Sequence, residues 1–114
     1  MIIYCLLSKD GKVVGEYGIT SHDYSSDLLD VMVDNRRMGT MFMSLGSLNC
    51  AILNKCYAGE NYSLAVVVEQ VTERDASFDC LDRIANDFEK DMKVKKIKAC
   101  VARIGKHMRA AMVG

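Results

Sequence analysis

Residues 48–91 read LNCAILNKCYAGENYSLAVVVEQVTERDASFDCLDRIANDFEKD, and the spacing of their apolar residues changes partway along. Two blocks come first, 48–57 (LNCAILNKCY) and 62–71 (YSLAVVVEQV), joined by Ala58-Gly59-Glu60-Asn61. Apolar blocks of this length around a glycine-containing loop predict the two strands of a hairpin. Val66, Val67 and Val68 form an unbroken β-branched run, which suits a central strand covered on both faces. Beyond them the period lengthens. Phe78, Leu81, Ile84 or Ala85, Phe88 and Met92 recur at helical spacing, and Asp79, Asp82, Arg83, Asn86, Asp87 and Glu89 fall on the other side. This predicts an amphipathic helix. Thr72, with Asp75 three residues on, is its expected capping pair.

Working outward, residues 2–8 and 12–19 flank Lys9-Asp10-Gly11. The Asp-Gly pair supplies the positive φ that a tight hairpin turn needs, so the chain is expected to open with two strands. A polar cluster at 20–27 offers N-cap residues for a helix over 26–37, whose apolar positions are Leu28, Leu29, Val31, Met32 and Val33 and which Gly39 stops. Residues 40–45 (TMFMSL) read as a third strand, with Gly46-Ser47 turning into the next. The last segment puts Val94, Ile97, Val101, Ile104, Met108 and Met112 on one stripe, interrupted by Gly105, with Lys95, Lys96, Lys98, Arg103, Lys106 and Arg109 off it. The expected order is β-β-α-β-β-β-α-α in one domain, residues 1–114.

Charge is balanced overall and divided along the chain. All fifteen acidic residues lie in 1–92 against eight basic ones, a net −7, and 93–114 carries seven basic residues and no acid, a net +7. Such a division predicts an electrostatic contact, within the fold or with a partner. The stripe of the last helix suits docking on a sheet. Its basic outer face suits an acidic partner or anionic lipid, but no aromatic residue stands among the basic ones for base stacking, and no nucleic acid is expected. Cys5, Cys50, Cys56, Cys80 and Cys100 are odd in number, lack C-x-x-C spacing and sit in apolar segments. They read as buried reduced thiols in a cytoplasmic protein.

Phosphate-binding glycine loops, the serine-hydrolase elbow and the zinc-protease motif do not occur. His22 beside Asp23 reads as a solvated loop pair, and Cys56 and Tyr57, adjacent on a strand, point to opposite faces. No catalytic residue, cofactor or metal is therefore expected. Met32, Met38, Met41 and Met43 bracket the passage from first helix to third strand. They suit flexible core filling or an adaptable apolar binding surface.

The opening MIIYCLLSKDGK resembles the first hairpin of longin-like proteins. These comprise the longin domains of R-SNAREs, the small chains of clathrin adaptors, coatomer zeta and the TRAPP subunits. Tyr57-Ala58-Gly59 followed by Tyr62-Ser63-Leu64-Ala65-Val66 is similar to the adaptor small-chain pattern around its third and fourth strands. Residues 74–84 (RDASFDCLDRI) resemble the start of the longin second helix. The resemblance implies an α+β fold: a five-stranded antiparallel sheet with one helix on one face and two on the other.

It also implies a non-catalytic interaction module, a subunit or adaptor in vesicle-mediated transport or small-GTPase regulation. Its partners would be longin-like or GTPase subunits, in a homo- or heterodimer, with peripheral contact on the cytosolic face of membranes. The expected contact is the first helix with the edge strand adjoining it, and the expected contact residues are Leu28, Leu29, Met32, Arg36 and Arg37 on that helix and Lys95, Lys96 and Arg103 on the basic one. No SNARE heptad segment follows, so a complete SNARE is not expected. Profilin-like actin binders and roadblock-type GTPase regulators are the alternatives. Each usually begins with a helix, whereas this chain reads as opening on a strand.

Overall fold

The structure, a computed structural model, describes residues 1–19, 23–34, 39–57, 59–93 and 97–113. Five strands, β1 (Ile2–Lys9), β2 (Lys12–Gly18), β3 (Gly39–Leu45), β4 (Leu48–Tyr57) and β5 (Glu60–Val68), form one antiparallel sheet in the order β2-β1-β5-β4-β3. The helices are α1 (Ser25–Asp34), α2 (Arg74–Lys93) and α3 (Ile97–Val113). The valine run lands in the middle strand, and Val66, Val67 and Val68 are each fully buried.

Local chemistry accounts for the turns. Asp10 and Gly11 both have positive φ, 51° and 81°, as a two-residue turn twisted to match its strands requires. The β4–β5 connection is tighter than the four-residue loop expected from the sequence. Tyr57 pairs with Glu60 and Cys56 with Asn61, so β5 starts two residues before Tyr62. It also ends earlier, at Val68, and Val71–Glu73 forms a 3-10 turn. The cap ahead of α2 is correspondingly not Thr72 with Asp75. The Gln70 backbone N–H donates to Glu73 Oε1 at 3.1 Å, because the 3-10 turn brings that carboxylate back over its own start.

Strand alternation sorts the core into two clusters. Cys5, Leu7, Ala51, Leu64 and Val66 pack with Leu81, Ile84 and Phe88 of α2 and with Ile104 and Met108 of α3. Their neighbours Tyr4, Leu6, Cys50, Ile52, Ala65 and Val67 pack with Leu28 and Met32 of α1. The helical stripe of α2 is where the pattern put it, with Leu81 and Ile84 fully buried, Phe88 nearly so and Phe78 half-buried. Phe88 meets the rings of Tyr57 and Tyr62 edge-on at 5.1 and 5.2 Å. Val94 and the side chains of Met92, Ile97 and Val101 lie outside the described residues.

Among the cysteines, Cys5, Cys50 and Cys80 are buried as expected. Burial pushes the Cys50 thiol up to about 11. The Cys5 thiol is raised by its hydrogen bond to Cys80 and by burial. Cys56 is exposed, contrary to the sequence reading, because it falls near the hairpin tip, opposite Asn61. The side chain of Cys100 is outside the described residues. Among the described residues no helix is long and apolar enough to cross a membrane.

Candidate partner-binding surface

A sheet in this order has two edges, and β2 carries α3 against its face at close range. Gly15 of β2 lies under Ile104 of α3 so closely that a Cβ built there would stand 1.8 Å from Ile104 Cγ2. Glycine is the residue that lets this helix settle. A bulge also interrupts the pairing of β1 with β2 at Leu7 and Ser8, and Lys12 and Glu16 place charges on the edge. Bulges and charges of this kind hinder pairing with a foreign strand.

The opposite edge has neither device. β3 reads GTMFMSL, without a charge or a proline, and pairs with β4 in unbroken register from Gly39↔Asn54 to Leu45↔Leu48. Met41 and Met43 pack against the α1 cluster, and Phe42 against the α2–α3 cluster. Phe42 meets the Phe78 ring at 6.2 Å and 70°. All three are half-buried, and Thr40 and Ser44 beside them are exposed. At the turn, Ser44 Oγ donates to Asn49 Oδ1 at 2.6 Å and Asn49 Nδ2 to Glu69 O at 3.2 Å, which ties the strand end to the sheet. An ordered strand with one free row of backbone groups and apolar side chains on both faces can accept another strand by main-chain hydrogen bonds.

The contact residues expected from the sequence are distributed unevenly. Leu28 is fully buried and Met32 is 4% exposed, so Leu28 belongs to the core and offers no surface to a partner. A ten-residue helix lying on the sheet turns its most apolar positions inward. Leu29 is half-buried. Arg36, Arg37, Lys95 and Lys96 lie outside the described residues. Arg103 is exposed but reaches across to α2: its Nη2 donates to Asp91 Oδ2 at 3.3 Å, and His107 Nε2 lies 2.9 Å from the same oxygen. Asp87 Oδ2 approaches the other ring nitrogen at 3.9 Å. Part of the charge division is therefore met within the fold, between the acidic side of α2 and the basic side of α3. Lys106 and Arg109 remain exposed.

Other polar contacts tie elements together. Lys55 Nζ reaches Glu89 Oε1 at 2.8 Å, joining β4 to α2, and Lys9 Nζ reaches Glu60 Oε1 at 2.8 Å across the strand ends. The hydrogen bond to Glu89 raises the Lys55 ammonium, and the bond from Lys9 lowers the Glu60 carboxyl. Tyr4 Oη donates to Glu16 Oε2 on β2; burial, then this hydrogen bond, pushes the phenol well above the ordinary tyrosine value. Among the described residues no group of three or more His, Cys, Asp or Glu side chains is placed to hold a metal ion.

Sequence reasoning flagged Met41 and Met43 by their number and expected the edge strand beside the first helix as a contact, but it did not single out Phe42. Strand order decides which strand is an edge, and no local signal carries it. No protein-family model matches this chain, and no curated protein matches its sequence.

Proposed function

We propose that this chain is a non-catalytic protein-interaction module of longin-like architecture, with α1 on one sheet face and α2 and α3 on the other. In this reading it is a subunit or adaptor in vesicle-mediated transport or small-GTPase regulation. The resemblance of residues 1–12, 57–66 and 74–84 supports the family, and the two packing clusters support the division of the helices. The observation that carries the binding mode is the uncharged, regularly paired edge strand β3, with Met41, Phe42 and Met43 half-buried along it. A partner strand added there extends the sheet, and its alternate side chains meet the methionines on one face and Phe42 on the other.

The test places lysines where natural edge strands carry them. Thr40→Lys with Ser44→Lys changes two exposed side chains and leaves the apolar ones in place. Affinity capture followed by mass spectrometry is expected to recover longin-like or GTPase-associated subunits with the unmodified chain and to lose them with the double variant. Recovery of the same subunits by both proteins overturns the edge as the contact.

A further inference from the structure

A cleft of about 450 Å³ opens on the sheet face that α1 covers, between the flank of that helix and the hairpin ends of β1, β4 and β5. Its volume falls in the range of small-molecule sites, about 300–1,000 Å³. The floor comes from strand register. Ser8 pairs with Ser63 and Ser63 with Asn54, so the three side chains form one row across three strands. Two residues along each strand, on the same face, stand Leu6, Ala65 and Ile52, all fully buried against α1. The face therefore changes from apolar to polar within one row, beside the flank of the helix.

Two of these three polar groups are buried, and Ser63 between them is half-buried. Ser8 is 3% exposed and Asn54 7%. Ser63 Oγ donates to Asn54 Oδ1. Ser8 Oγ donates to Met32 Sδ at 3.6 Å. A thioether is a weak acceptor, so this buried hydroxyl holds a weaker bond than water would give it, an arrangement that costs stability until a better partner arrives. The wall above is apolar, from Leu29 and Met32. The floor row holds no ionisable side chain; Asp10 and Lys55 also line the cleft, outside that row, and Lys55 is drawn to Glu89 on α2.

We propose that this cleft binds a small neutral ligand carrying a carboxamide or hydroxyl head on a short aliphatic chain. The head sits on the Ser8–Ser63–Asn54 row and the chain lies along Leu29 and Met32. The hydroxyls and the side-chain amide supply donors and acceptors of both kinds, matching a neutral head. A charged head would enter a buried row with no counter-ion in it. This site is independent of strand addition at β3 and needs no protein partner for its test.

Pentanamide, 1-pentanol, pentanoate and pentylammonium are titrated into the full chain, and backbone amide shifts are followed by NMR. The amide or the alcohol is expected to produce saturable shifts at Ser8, Asn54 and Ser63, with the two ions shifting them far less. Ser8→Ala is expected to weaken the neutral ligand about tenfold, the factor equivalent to about 1.4 kcal/mol. Leu29→Trp fills the cleft from a half-buried position and is expected to abolish the shifts without lowering the melting temperature. It serves as the variant of record if Ser8→Ala misfolds. Equal shifts with all four probes, no saturable shift with either neutral one, or unchanged binding in a folded Leu29→Trp chain each overturn the proposal.

Discussion

The two edges of the sheet are strands of the same length, seven residues each, finished in opposite ways. β2 is bulged against its neighbour, carries Lys12 and Glu16, and lies beneath α3 with Gly15 fitted to Ile104. β3 is regular, uncharged and apolar on both faces. Both strands leave one row of backbone groups unpaired by the sheet, so the difference lies in how far each edge is protected from further pairing. The fold guards one edge with a bulge, charges and a packed helix and leaves the other regular and uncharged, and on the proposed reading the second edge is where a partner strand adds.

The most severe way to break the guarded side is to remove its footing. Phe88 packs α2 onto β4 and β5 through Tyr57 and Tyr62, and α3 in turn leans on α2. Phe88→Ala is expected to cost about 3–5 kcal/mol in urea unfolding, the usual cost of deleting a large buried ring. That is a large share of the stability of a domain this size.

Gly15→Ala attacks the guarded edge directly. The added methyl overlaps Ile104, and an overpacked contact is expected to cost about 1–3 kcal/mol. Hydrogen exchange should quicken in α3 before it does in β4. Combining Gly15→Ala with Ile104→Ala is expected to recover part of the loss, and strict additivity of the two would place the strain elsewhere.

The open edge should respond in the opposite sense. Thr40→Lys is expected to change unfolding free energy by no more than about 0.5 kcal/mol, as exposed substitutions do, and Ser44→Lys to cost about 1 kcal/mol more because it removes the bond to Asn49, while partner capture is lost. A large loss of stability would mean that β3 is an integral part of the core and not a docking edge.

The smallest effect concerns Tyr4, which anchors β1 to the guarded edge through Glu16. Its folded value is raised, so the neutral phenol is the form the fold favours. The stabilisation is present below the unfolded tyrosine value of about 10 and is lost as pH rises through the folded one. Alkaline titration followed by tyrosinate absorbance should show a late step from Tyr4, together with unfolding. Tyr4→Phe should remove that late step, and Glu16→Gln should bring it to lower pH.

Some elements were legible because they depend on neighbours in the chain. Asp10-Gly11 demanded a tight turn, residues 48–57 became β4 without adjustment, and the spacing of Leu81, Ile84 and Phe88 set the buried side of α2. Backbone preference and side-chain period act over a few residues, so the sequence alone determined a strand-rich chain with three amphipathic helices and the turns between them.

The tertiary structure decided the rest. It set β1 beside β5, which makes β3 an edge, and it turned Leu28 into the core and Arg103 toward Asp91. It left Cys56 exposed and aligned Ser8, Ser63 and Asn54 in one row. These outcomes depend on register between strands far apart in the chain and on which helix covers which row. A one-residue slip in register would send every side chain of a strand to the other face. Such choices are settled by the packing of the whole sheet at once, which no local window of sequence contains.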